Sequence, residues 1–265
     1  MKQKKDQFVI ACLESPATAD TVLPVARHCA AQLGKGIILL NVSRDGDNEW
    51  LKQYGLPYVG LKGDWKVAID GLPTAFGGVL AVTALDPDAP RTSIANPSTL
   101  LRTFADCRIA YLCVPAASAN NTLASAYLTL DHRRESKEKL IWGSYMVQFF
   151  GSRLMVALPD YRDSGLREKQ WANLQFLKKM YASLNVDYTT VSIEASNFTS
   201  PDLTLARDTS RLSADTSLLI AMTTDMRDRD LGDLLTGTPE RRLLQQTTVP
   251  VLLLNQRDDL YVLCD

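Results

Sequence analysis

Two hydrophobic signatures alternate along the chain: short unbroken apolar runs, and longer segments whose apolar residues return every three or four positions. Residues 8–13 (Phe-Val-Ile-Ala-Cys-Leu) form such a run, the pattern of a strand covered on both faces. Thr18 and Asp20 are placed to cap the following segment. There Ala19, Val22, Leu23, Ala26, Ala30 and Leu33 recur at helical spacing until Gly34 and Gly36 stop it. Residues 37–42 are a second buried run. Strand, amphipathic helix and strand in close succession predict a βαβ unit and hence a parallel sheet.

The remainder of the first half is compressed. It predicts a short helix over 50–54, a short strand over 57–61, and a helical stretch at 65–69 broken by Gly71 and Pro73. A buried strand over 79–83, a helix over 98–106 and a strand over 109–114 complete it. The second half repeats the order with longer elements: strands over 123–130, 154–158, 188–193, 218–222 and 251–254, and helices over 135–150, 165–184, 201–212 and 239–247. Pro159 is placed to end the second of these strands. The 165–184 helix carries Trp171, Leu174, Leu177, Tyr181 and Leu184 as one stripe. The small, polar stretch 116–121 marks the boundary, giving domains over 1–117 and 122–265.

An internal repeat supports this division. Asn96-Pro97 and Thr238-Pro239 each set a good cap before a proline at the first helical position. Twelve residues beyond each proline an apolar strand is under way, at Ile109 and at Val251. A long loop and a buried strand precede each cap. The frame of strand, loop, capped helix and strand occurs twice in nearly the same register.

Composition narrows the function classes. Apolar residues at 46% and charged residues at 22% describe an ordinary globular protein, with material for two cores. A formal net charge of −1 argues against nucleic acid or anionic lipid as the main partner. The longest apolar runs fall well short of the ~20 residues that span a bilayer, and the basic start of the chain lacks a signal-peptide core, so a cytoplasmic protein is expected. The five cysteines, Cys12, Cys29, Cys107, Cys113 and Cys264, show no Cys-x-x-Cys spacing. The two histidines, His28 and His132, stand apart from any ligand-like cluster, so neither a metal site nor a hydrolase triad is expected.

The stretch 214–255 brings a family into view. It runs Ala-Asp-Thr-Ser-Leu-Leu-Ile-Ala-Met-Thr-Thr, then a loop, then Leu-Leu-Thr-Gly-Thr-Pro-Glu-Arg-Arg-Leu-Leu and Val-Pro-Val-Leu-Leu-Leu. This resembles the C-terminal signature of the universal stress proteins, in which a buried strand leads into Gly-x2-Gly-x9-Gly-Ser/Thr, a helix and a Pro-Val-aliphatic strand. Thr129-Leu130-Asp131 resembles the end of the family's first strand, whose aspartate lies near the nucleotide. The similarity covers most of 122–256 and, more faintly, 7–116. It implies two consecutive open parallel-sheet α/β sandwiches of the Rossmann-like, adenine-nucleotide-hydrolase-like kind, packed as an internal pseudo-dimer. It further implies pairing through the last strands, supplied here by 249–255 and 108–114, with itself as partner in an internal pseudo-dimer or a homodimer; the tail 260–264 is apolar enough for an extra strand or a contact surface.

In nucleotide-binding members the glycine loop wraps phosphates with backbone amides at a helix N-terminus. The resemblance nominates Asp131, Thr224, Arg227, Gly237 and Thr238 as cofactor-binding positions. Thr224 and Arg227 stand where the first two glycines belong, which makes positive-φ backbone costly. Pro239 removes an amide donor from the helix that would face the phosphates. Asp225, Asp228, Asp230 and Asp233 outnumber Arg227 and Arg229 in the loop and repel a triphosphate. In the first half Ala95-Asn96-Pro97 replaces the Gly-Ser/Thr pair, and Leu13-Glu14 replaces the aspartate. His132-Arg133-Arg134 reads as a solvated turn.

The expectation is therefore a non-catalytic stress-response or regulatory protein with no required cofactor, acting through a protein or small-ligand contact. The alternative is weak ATP or AMP binding at the loop after Met222. A third class, an enzyme of another α/β family acting at the carboxyl ends of its strands, has no residues in its favour.

Overall fold

The computed structural model describes residues 6–43, 48–196, 199–208, 210–224 and 237–256, and the chain divides into two compact units, 1–122 and 123–265. In unit 1, strands β1 (Phe8–Cys12), β2 (Gly36–Ser43), β3 (Tyr58–Lys62), β4 (Gly78–Leu85) and β5 (Ala110–Pro115) are all parallel, in the order β3-β2-β1-β4-β5. In unit 2, β6 (Ser125–Thr129), β7 (Arg153–Asp160), β8 (Thr189–Glu194), β9 (Ser217–Met222) and β10 (Val251–Leu254) repeat that order as β8-β7-β6-β9-β10. Each unit therefore has a switch point beside its first strand, where successive crossovers part to opposite sides and the strand ends open a crevice.

The helices of unit 1 are α1 (Pro16–Leu33), α2 (Trp65–Asp70), α3 (Leu72–Ala75) and α4 (Pro97–Thr103), with a 3₁₀ turn at Glu49–Tyr54. Unit 2 has α5 (Glu138–Phe150), α6 (Ser164–Leu184), α7 (Pro201–Ala206) and α8 (Pro239–Gln246). α5, which touches α6, and α7, which touches α8, both pack on β6 and β9. Every residue of those two strands is buried, as a sheet covered on both faces requires. Among the described residues no helix is long and apolar enough to cross a membrane.

Three local expectations change. The cap of α1 is Ser15 and not Thr18: the Ser15 hydroxyl accepts from the Thr18 amide at 3.3 Å, while the Thr18 hydroxyl accepts from the Ser15 amide at 3.0 Å. This reciprocal box satisfies two end amides at once and lets Pro16 open the helix. Strand β7 runs through Pro159, which pairs in register with Ile193 of β8. The Pro159 carbonyl accepts from Gln170 and from the Tyr161 amide, so the proline nitrogen faces away from β8, past the end of the β6 ladder, where no strand donor is needed.

The inward stripe of α6 is also rotated. Trp171 is 57% exposed and Leu184 40%, whereas Asn173, Leu177 and Tyr181 are buried at four-residue spacing. The polar Asn173 is drawn inward because it satisfies backbone carbonyls in the candidate site.

Candidate functional site

β6 delivers Asp131 to the carboxyl edge of the unit 2 sheet, beside the switch point, where its side chain is 1% exposed. One carboxylate oxygen accepts from the Arg133 amide at 2.9 Å. The other accepts from Arg133 Nε at 2.8 Å and lies 2.7 Å from a terminal guanidinium nitrogen. Two nitrogens of the Arg133 guanidinium thus converge on one carboxylate oxygen while its own amide holds the other, a set of charge-assisted contacts. Burial pushes the Asp131 carboxyl up, but the charges of Arg133 and Lys139 and the Arg133 hydrogen bonds outweigh it, leaving Asp131 below the usual carboxylate range. Burial alone would weaken the Arg133 cation, but Asp131 reverses the sign and holds it charged.

The turn that carries this pair is fastened down. The Asp131 amide donates to the Ser136 hydroxyl at 3.2 Å, and that hydroxyl donates to the Thr129 carbonyl at 3.2 Å. Asn173 on α6 donates to the carbonyls of Asp131 and Arg133, both at 2.8 Å. Gln170 donates to those of Leu130 and Pro159 at 3.2 and 3.0 Å. His132 Nδ1 lies 3.1 Å from the Tyr161 hydroxyl, which burial pushes up to about 12.

Lys139 of α5, which is wholly buried, reaches the same strand end. Its ammonium donates to the Thr129 hydroxyl at 2.7 Å and lies 3.3 Å from the Asp202 carboxylate on α7, while the Thr129 hydroxyl donates to the same Asp202 oxygen. A buried ammonium requires such pairing, because an uncompensated charge in a low-dielectric interior is costly.

Three of the other nominated residues, Thr224, Gly237 and Thr238, lie at the start of α8. Thr224 donates to Glu240 at 3.1 Å, and the Thr238 hydroxyl caps the helix by accepting from the Arg241 amide at 3.4 Å. Gly237 has φ +83°, a conformation that favours glycine, and the Arg241 side chain sits where a Cβ would point, at 3.2 Å. Glu240, 3% exposed, places the protein's own carboxylate in the first turn. Arg227 and the acidic loop lie outside the described residues. Thr224, Gly237 and Thr238 are thus joined to α8, and Asp131 is joined to Arg133.

Arg133, Lys139, Asp202 and Glu240 were missed by sequence reasoning. A signal existed for Lys139, which shares with Gly143 and Met146 the spacing of the buried face of α5. None existed for Asp202, whose partner is 63 residues away.

In unit 1 the corresponding strand end carries Glu14. It accepts from the Ile94 amide at 2.9 Å and from the Ser93 hydroxyl, pinning the loop that follows β4. Asn96 caps α4 through the Ser98 amide at 3.1 Å and donates to the Ala89 carbonyl at 2.8 Å. These contacts leave a cavity of about 610 Å³ at the carboxyl ends of β1, β2 and β3, walled by Trp65, Lys66, Arg91, Thr99 and Arg102 among others.

No family model matches the sequence, and no curated protein matches it either. Solved structures do. A universal stress protein from Archaeoglobus fulgidus DSM 4304 aligns with a TM-score of 0.64 at 11% identity, over 94% of this chain and 98% of its own. A putative universal stress protein from Pseudomonas aeruginosa UCBPP-PA14 aligns at 0.61 and 15% identity, over 98% and 96%. A functionally unknown protein from Pseudomonas aeruginosa PAO1 aligns at 0.62 and 15% identity, also over 98% and 96%. The fold of this chain is that of the universal stress proteins, along nearly its whole length.

Proposed function

We propose that this protein is a non-catalytic regulatory protein of the universal stress type, acting in the cytoplasm through binding and not through turnover of a nucleotide. The observation that carries this reading is the closure of Asp131 by Arg133. A carboxylate that already accepts from an amide and a guanidinium has little capacity left for a ribose hydroxyl, and displacing Arg133 would leave a buried charge uncompensated. Three further features support it. Glu240 places a carboxylate in the helix turn a phosphate would use. Pro239 removes an amide there. Cys12, Cys29, Cys107 and Cys113 are buried free thiols, in keeping with a reducing compartment.

The alternative reading, weak ATP or AMP binding at Asp131, Thr224, Arg227, Gly237 and Thr238, is separated by mass spectrometry of small molecules released from the purified protein. The proposal expects no adenine nucleotide in stoichiometric amount. Recovery of ATP or AMP at one equivalent overturns it.

A further inference from the structure

The unit 1 cavity differs chemically from the closed site of unit 2. Its volume of about 610 Å³ falls within the ~300–1,000 Å³ typical of small-molecule sites. It lies at the carboxyl ends of the parallel strands, where open sheets bind ligands. Five elements contribute to its wall: Glu14 after β1, Val42 of β2, Gly63 to Lys66 after β3, Arg91 and Thr92 after β4, and Thr99, Arg102 and Thr103 of α4.

The charges in that wall are unequal in availability. Both acids are already used as acceptors: Glu14 by the Ile94 amide and Ser93 hydroxyl, and Asp64 by the Lys66 amide at 2.8 Å. Lys66 is paired with Asp106. Arg91 and Arg102 are exposed, and neither guanidinium has a hydrogen-bond or ion-pair partner among the described residues. The Arg91 backbone is nevertheless held, because the Thr99 hydroxyl donates to its carbonyl at 2.5 Å. Two planar cations without a side-chain partner among the described residues, one on a fastened loop and one on a helix, thus face one cavity beside a half-buried Trp65.

We propose that this cavity binds a small organic oxyanion, a carboxylate or phosphate monoester on a planar apolar group. Arg91 and Arg102 hold the oxyanion and Trp65 lies against the apolar part. A guanidinium fork matches either oxyanion bidentately, and an indole face suits a flat apolar body. The ligand needs no glycine loop, so its recognition does not depend on the nucleotide question in unit 2.

The test uses the full chain with two probes, phenyl phosphate and benzoate, followed by calorimetry and tryptophan fluorescence. Saturable binding of either probe is expected, and the stronger one identifies the oxyanion. Arg91→Gln and Arg102→Gln should each weaken binding by about tenfold or more, the worth of a hydrogen bond to a charged group. Both side chains are exposed and have no partner among the described residues, so folding should be unaffected. Trp65→Phe should abolish the fluorescence change while calorimetric binding persists. Absence of saturation by both probes up to millimolar concentrations, or binding that is unchanged in both arginine variants, overturns the proposal.

Discussion

Arg133 closes over Asp131 with three contacts of 2.7 to 2.9 Å, so the strand-end carboxylate of unit 2 is bound by its own chain. The Asp131 carboxyl is held below its ordinary value. A depressed folded pKa means that its stabilisation is fully present above the unfolded value, ~3.9 for a free aspartate, and is lost as pH falls through the folded one. Asp131→Asn should therefore cost about 1–3 kcal/mol at neutral pH. Urea denaturation at a series of pH values should show that gap shrinking in acid, as pH falls below the ordinary carboxylate value and through the folded one.

Lys139 makes the next prediction. Lys139→Ala strands the Asp202 carboxylate in a buried setting and should cost roughly 3–5 kcal/mol, the range for breaking a buried ion pair. The double variant Lys139→Met/Asp202→Asn removes both charges and should be more stable than Lys139→Ala alone. Denaturation midpoints of the variants, compared as a cycle, check the sign.

Gly143 sits on α5 where a Cβ would collide with the Tyr181 hydroxyl and lie 2.9 Å from a Leu128 methyl. Alanine ordinarily gains up to ~1 kcal/mol over glycine in a helix. Here overpacking, typically 1–3 kcal/mol, should win, and Gly143→Ala should lower the melting temperature.

Burial raises the thiols of Cys29 and Cys107, to about 12 and about 11, and those of Cys12 and Cys113 still further. Since the thiolate is the nucleophile, these four should resist iodoacetamide in the native protein and react promptly in concentrated urea. Peptide mass mapping of the labelled chain reads the outcome.

Strands were legible in the sequence because buried parallel strands are continuous apolar runs, and residues 217–222 and 251–254 appear in the structure nearly as their composition indicates. Helix ends were less legible, because Ser15 and Thr18 are both good caps and only their reciprocal bonds decide between them. Trp171 misled: hydrophobic spacing ranked it above Asn173, yet Asn173 turns inward to serve two carbonyls. The site was legible only at single positions. Asp131 could be nominated from its strand end, but Arg133 read as a solvated turn, because nothing local reveals that its guanidinium folds back two residues. Lys139 with Asp202 depends on tertiary approach alone.

The most direct test of the closed site is thermal melting of the full chain carrying Arg91→Gln and Arg102→Gln, with and without millimolar ATP and magnesium. Those substitutions remove the unit 1 oxyanion contacts, so any response reports on unit 2. A ligand at a hundred times its Kd stabilises by about 2.7 kcal/mol. A closed Asp131–Arg133 site predicts an unchanged melting temperature at every ATP concentration. A rise that grows with ATP concentration would contradict it.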